Sequence, residues 1–430
     1  MDLKAPVKPR PYQMENQIQH YEWGTRDEEA FIPRLLGIAP EPGLPYAELW
    51  MGAHPSAPSR VFVEGKTARL SEWISAHPVE SLGAVVARQF SGTLPFLFKV
   101  LSAGEALSIQ AHPNKAQAKA LHARDPQHYP DDNHKPELAV ALDSLTALLG
   151  IKPVPGMIEA LERYPELADL IGDEIVGQLK GALSRPLAEQ QALAHTAFSA
   201  LVERSITQEQ ELVQAVDRLT GRLTQSSGAG REEELIFLGL GEKYARADVG
   251  RLAVFLLNLV HLEAGQGIFT RAGVPHAYLK GNIVECMANS DNVVRVGLTP
   301  KFKDARALID ILDREPTLPS ILAAAPDSER ITYPTPASEF QVSRWNLVSG
   351  AVHSVATYNR PSILLIVRGD ILIRWETGTG REQDTCRQGQ SLFIPACLPE
   401  FEVEATSPAQ VFVAQVPPGW DSPIGLDGSL

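Results

Sequence analysis

Residues 265–279 read GQGIFTRAGVPHAYL and residues 389–403 read GQSLFIPACLPEFEV, so Gly265, Gln266, Phe269, Ala272 and Pro275 recur as Gly389, Gln390, Phe393, Ala396 and Pro399. The offset is constant and needs no gap. Each copy holds a glycine turn, a short strand with a buried aromatic, a second turn ending at proline, and an outgoing strand, which is the local grammar of a small antiparallel barrel. One position separates the copies: His276 in the first is Glu400 in the second.

Outward from these copies the texture of the chain changes twice. Up to Pro153 it is rich in proline, glycine and aromatics with short apolar runs such as Leu94–Leu101, which suits strands with long loops. Between Val154 and about Asp248, Ala, Leu, Glu and Gln dominate, and Ile158, Leu161, Leu167, Leu170 and Ile171 approximate helical spacing. After Asp248 the strand texture returns. The expected fold is mainly β with an α insertion: residues 1–153 and 251–325 form one barrel, 154–250 a helical domain, and 326–430 a second barrel.

A cupin-type jelly roll places a metal-binding histidine after such a proline, and the sequence resembles two cupin barrels of which only the first keeps that ligand, His276. The segment Leu107–Pro113 alternates, so as a strand it presents Ser108, Gln110 and His112 on one face. Asn133-His-Lys-Pro-Glu137 adds a histidine, a lysine and a carboxylate on backbone held extended by Pro136. The candidate ligand set is therefore Gln110, His112, Glu137 and His276. Nitrogen and oxygen donors without thiolate suit a catalytic divalent metal better than a structural zinc. Each of these residues alone would be an ordinary polar group, and only the combination points to a metal.

Beside this set lie charges in apolar surroundings: Lys99 within Phe96–Leu101 and Arg295 within Asn292–Leu298. A buried guanidinium requires a partner or an anionic ligand. Lys99, Lys135, Arg295 and Lys301 together make a positive pocket suited to a phosphorylated anion. The whole chain is acidic, with 39 Lys and Arg against 52 Asp and Glu in 430 residues and a formal net charge of −13. That balance disfavours nucleic acid and anionic membranes as partners. No apolar stretch has the ~20 residues of a spanning helix. Cys286, Cys386 and Cys397 form no disulfide framework and no metal clip. A cytoplasmic protein, monomeric or weakly homo-oligomeric, is expected.

Tyr129–Glu137, His276–Gly281 through Ser290-Asp-Asn292 to Thr299-Pro-Lys301, Tyr21–Gly24, Ala47–Pro55 and Leu107–Lys115 are similar, in this order, to the signatures of the type I mannose-6-phosphate isomerase family. The resemblance covers nearly the whole chain. It implies one zinc per chain on Gln110, His112, Glu137 and His276, a catalytic arginine at Arg295, and a sugar phosphate as substrate. Val296 departs from the family's usual alanine. The reaction implied is an aldose–ketose interconversion through a cis-enediolate. Arg295, Glu285, Lys135, Asp291 and His134 make up the catalytic candidates; Glu285 is the first choice of base, with Asp291, His134 and His54 as alternatives. Glu285 could instead order Arg295 or a lysine. Lys99, Ser108, Tyr278, Lys301, Trp23 and Glu48 are the candidate substrate contacts. Two other readings compete, an iron-dependent double-cupin oxygenase and a carbohydrate-binding module without catalysis.

Overall fold

Strand Phe96–Ala103 is buried along its whole length yet carries a lysine, and the alternation of its side chains explains why. Phe96, Phe98 and Val100 enter one apolar cluster, together with Leu49, Met51, Leu138, Val140, Val284 and Cys286 of the neighbouring strands. Lys99 and Leu101 point the other way, as do Glu48, Glu137 and Glu285 on strands Glu48–Gly52, Glu137–Ala141 and His276–Ala288, because side chains alternate across a sheet. One face of this sheet is thus core, and the other carries chemistry.

A computed structural model describes residues 6–225, 230–313, 319–323, 328–378 and 380–418. Strand His276–Ala288 organises the first β unit. Its second half pairs with Phe96–Ala103 and Glu137–Ala141, and its first half pairs with Ile109–Ala111 and Leu145–Ile151. The strand crosses between these two sheets near Gly281, which adopts φ 133° and lies so close to Ser144 and Leu145 that a Cβ would meet backbone at 2.3 Å. Only glycine fits such a position.

The second β unit faces an eight-stranded sheet with a four-stranded one across Trp345, Ile366, Ile373, Trp375 and Phe401. The repeat is structural as well as sequential. Gly265 and Gly389 take φ 85° and 82°, and the Gln266 and Gln390 side chains accept from the amides of Glu263 and Arg387 at 2.8 and 2.7 Å. Strands Gly267–Thr270 and Ser391–Ile394 then occupy equivalent positions, as do the starts of the outgoing strands at His276 and Glu400.

The mainly β framework with a helical insertion is as expected. Helices from Val154 to Ala253 pack around Leu161, Phe198, Leu219, Phe237 and Phe255. An element of the N-terminal region joins the distant C-terminal sheet: Tyr12–Glu15 pairs with Ser391–Ile394, with Tyr12 opposite Phe393, and on its other side with Arg60–Val63. No helix among the described residues is long and apolar enough to cross a membrane.

Candidate metal centre and cavity

His112, Glu137 and His276 bring one donor atom each within 4.8 Å of one another, all three residues buried. His112 Nε2 lies 3.3 Å from Glu137 Oε1, and His276 Nε2 lies 3.3 Å from Glu137 Oε2. On the far side of each ring, Nδ1 meets a backbone carbonyl, Asn292 O at 2.9 Å and Val274 O at 3.0 Å. An Nδ1–H that donates there leaves the Nε2 lone pair turned inward, the arrangement of a metal-ligating imidazole held by a second hydrogen bond. His112 Nε2 and Glu137 Oε2 are buried without a hydrogen-bond partner. Orphaned acceptors of this kind, converging with a carboxylate, fit a divalent cation.

Gln110, expected as the fourth donor, stands beside His276. Gln110 is the register partner of His276, and its amide nitrogen stands 3.5 Å from His276 Nε2 while its Oε1 accepts from Ser108 Oγ at 3.1 Å. Exchange of the amide's two ends would aim its oxygen inward. Burial pushes the His112 imidazole down to about 4, so it is neutral and able to ligate. Burial alone would raise the Glu137 carboxyl, but His112 and Lys135, whose Nζ is 3.5 Å away, hold it well below the usual carboxylate range.

The centre opens into a cavity of about 1260 Å³ lined by Trp23, Glu48, Lys99, Ser108, Lys135, Tyr278, Glu285, Asp291, Arg295 and Lys301 among others. The helix Glu232–Lys243 of the insertion supplies another wall. Lys99 Nζ lies 2.6 Å from Glu285 Oε2 and 3.8 Å from Glu48 Oε1. Burial opposes its charge, but those two carboxylates outweigh burial and hold the ammonium above the ordinary lysine range. Glu285 Oε1 accepts from Tyr278 Oη at 2.9 Å, and burial raises its carboxyl despite Lys99. Glu48 accepts from Trp50 Nε1.

Of the four cations expected to make the positive pocket, Lys99 and Lys135 are therefore engaged by carboxylates. Arg295 and Lys301 are not. Arg295 is half-buried beside Tyr129 and Tyr21, burial lowering its pKa, and no carboxylate pairs with it among the described residues. Lys301 lies over the Tyr21 ring at 5.0 Å. Asp291 is at the rim, 3.5 Å from His54 Nε2.

One candidate stands elsewhere than anticipated. His134 does not line the cavity; its Nε2 bonds Glu339 Oε1 at 2.7 Å, on the segment leading into the C-terminal strands. Pro136 keeps this stretch extended, so consecutive side chains point to opposite faces and Lys135 takes the inward one. Tyr278 lines the cavity and is buried, its hydroxyl donating to Glu285. The sequence reading also overlooked what holds His112. Asn292 is fully buried, its Nδ2 donating to Asp131 O at 2.7 Å and Asn133 O at 2.9 Å, and Ser290 Oγ donates to Asp131 Oδ1 at 2.8 Å. The signal was present in the Ser290-Asp-Asn292 run, whose small polar residues can bridge loops.

The family model for the catalytic domain of type I phosphomannose isomerase matches residues 12–154. Over 409 residues the chain is 39% identical to the mannose-6-phosphate isomerase of Homo sapiens, covering 90% of this chain and 94% of that one. It is 36% identical over 420 residues to that of Schizosaccharomyces pombe, covering 94% and 99%. Among solved structures, an arginine-to-alanine mutant of phosphomannose isomerase from Salmonella typhimurium matches with a TM-score of 0.79 at 31% identity, covering 94% of this chain and 98% of that chain. A zinc-bound holo mannose 6-phosphate isomerase matches with the same TM-score, identity and coverage.

Proposed function

The chain belongs to the type I phosphomannose isomerase family, and from that membership we infer how its residues interconvert mannose 6-phosphate and fructose 6-phosphate. The enzyme is a zinc-dependent isomerase. The observation that carries the site is the pair of orphaned acceptors, His112 Nε2 and Glu137 Oε2, converging with His276 beside a cavity that holds an arginine without a carboxylate partner. His112, Glu137, His276 and Gln110 would hold the zinc. When bound it supplies a Lewis acid or a fixed positive charge beside the sugar's C1 and C2 oxygens.

Lys301, at the rim over Tyr21, binds the phosphate. The Glu285 carboxylate, kept in place by Tyr278 and Lys99, takes the proton from one carbon and returns it to the other. Each of its oxygens has a second lone pair, so these bonds orient the group without blocking it. Burial raises its pKa toward the working pH, as a general base requires. Lys99, kept charged by Glu48 and Glu285, holds a fixed positive charge beside that carboxylate. Arg295 faces the developing enediolate, and its fixed charge in a half-buried place stabilises it more than water would. Asp291 at the rim and the buried His54 beside it are the other pair able to move protons during ring opening. Ser108 holds the Gln110 amide, and Trp23 and the insertion helix close the cavity against water.

The division into a catalytic β unit at 1–153 and 251–325, a helical insertion at 154–250 and a C-terminal β unit at 326–430 belongs to this reading, with Tyr12–Glu15 and Arg60–Val63 lent to the C-terminal sheet. So do work in the cytoplasm, supported by three cysteines without a disulfide, and a monomer or weak homo-oligomer. The test is fructose 6-phosphate formation from mannose 6-phosphate before and after chelation, with zinc, manganese and iron restored singly. Recovery with zinc supports the assignment; no turnover with any metal overturns it.

A further inference from the structure

With no carboxylate among the described residues to hold its guanidinium, Arg295 depends on its backbone for position, and that backbone is irregular. Pairing with strand Ile109–Ala111 slips between Arg295 and Gly297. Leu298 then turns left-handed at φ 54°, a conformation that is strained for a non-glycine residue. A buried carboxylate pins the turn. Asp248 Oδ1 accepts from the Leu298 amide at 2.9 Å and from the Gly250 amide at 2.9 Å, and its Oδ2 faces Lys303 Nζ at 3.6 Å.

Around this carboxylate the segments Asp248–Gly250 and Gly297–Leu298 touch backbone to backbone. A Cβ on Gly297 would come within 2.6 Å of Asp248 Oδ1 and of Gly250 Cα, and a Cβ on Gly250 within 2.8 Å of Leu298 Cγ. Asp248 closes the connection from the helix Glu232–Lys243, which walls the cavity, back to the β unit. It does not line the cavity itself. On the other side of the arginine, the Asp304 amide donates to Arg295 O at 3.0 Å, and the Asp304 carboxylate accepts from Tyr129 Oη at 2.9 Å.

We propose that Asp248 is a positioning residue for Arg295: its carboxylate locks the Leu298 turn onto the end of the helical insertion and so fixes where the guanidinium stands in the cavity. The inference rests on the reading of Arg295 as the charge that stabilises the enediolate. Errors of about 1 Å in such a group cost turnover by up to about 100-fold.

The experiment is a double-mutant cycle on the full-length zinc-loaded enzyme with Asp248→Ala, Arg295→Ala and both, together with Asp248→Asn. Asp248→Ala is expected to lower kcat by about 10–100-fold, with zinc content kept and KM for mannose 6-phosphate little changed. Asp248→Asn retains an acceptor oxygen and should restore most of that loss. In the Arg295→Ala background, Asp248→Ala should cost nothing more in kcat. A merely structural aspartate would lower the melting temperature and leave kcat per folded molecule unchanged. If Asp248→Ala does not fold, Gly250→Ala carries the same expectation, because its methyl group would press on Leu298 Cγ at 2.8 Å and on Asp248 Oδ1 at 2.9 Å and so disturb the same lock. Full kcat in Asp248→Ala beside a crippled Arg295→Ala overturns this inference alone, as does an equal loss in both backgrounds. Normal turnover of Arg295→Ala removes the reading of the arginine, and this inference with it.

Discussion

His276 and Arg295 are both register partners of Gln110, one on each side of the short strand Ile109–Ala111. Strands sit about 4.8 Å apart, so the candidate metal ligand His276 and Arg295 are held on neighbouring strands of one three-strand element. The pocket's geometry is thus set by sheet register, which leaves little to side-chain freedom.

His276→Ala should abolish turnover and release the metal, because the histidine is buried and its Nδ1 is already fixed by Val274 O. Elemental analysis beside the isomerase assay checks both. A variant that keeps one zinc per chain and turns over normally would remove His276 from the ligand set.

Arg295→Ala should leave zinc content intact and reduce turnover by roughly two to four decades, about 3–5 kcal/mol of transition-state stabilisation. The arginine contacts no ligand through its side chain, so metal affinity has no reason to fall. Turnover near that of the unaltered enzyme would demote it to a structural cation.

Glu285 and Asp291 differ in surroundings as well as position. Glu285 is buried between Lys99 and Tyr278, whereas Asp291 is half exposed at the rim. Glu285→Gln should cost about 1,000-fold or more in turnover and stop exchange of the C2 hydrogen with heavy water; Asp291→Asn should slow turnover while exchange persists. Exchange that survives in Glu285→Gln and ends in Asp291→Asn would assign the base to Asp291.

The parts of this architecture that were legible depend on local pattern. The constant offset between Gly265 and Gly389 announced two equivalent turns, and the alternation of Ser108, Gln110 and His112 announced a ligand-bearing strand. What stayed hidden depends on pairings between distant segments. Nothing in Tyr12–Glu15 names Phe393 as its neighbour, because an apolar alternating strand fits many edges. His134 was read as a catalytic candidate from its place beside Lys135, but opposite faces of an extended segment send it to Glu339. The partners of Lys99 were equally unreadable, since Glu48 and Glu285 come from strands on either side of it.

The His134–Glu339 contact joins the signature segment to the C-terminal unit and carries a pH dependence. Burial would raise the Glu339 carboxyl, but His134 outweighs burial and holds it below the ordinary range. The folded state therefore binds this proton less readily than the unfolded chain does. Its stabilisation is fully present above the unfolded value of about 4.3 and is lost as pH falls through the lower folded value. Glu339→Gln should destabilise the protein by about 1–3 kcal/mol at pH 7, and the difference should shrink at pH 3. Urea unfolding at both pH values decides; a difference that stays constant would place the contribution in packing and not in charge.

Gly389 and Gly350 offer a cleaner comparison, since they share φ, 82° and 83°, but not surroundings. A Cβ at Gly350 would meet nothing within 4 Å, whereas at Gly389 it would stand 2.5 Å from Leu35 O and 2.9 Å from Leu36 Cα. Those are backbone atoms of the N-terminal helix Phe31–Leu36, and no rotamer change can move them aside. Gly350→Ala should cost about 1–2 kcal/mol for the left-handed backbone alone. Gly389→Ala should cost that plus about 1–3 kcal/mol for the forced shift, and more of its unfolding should begin where the N-terminal helix meets the C-terminal unit. Equal losses in the two variants, read from urea midpoints at unchanged m-value, would show that the helix yields and that the second glycine turn of the repeat is retained for its backbone angle only.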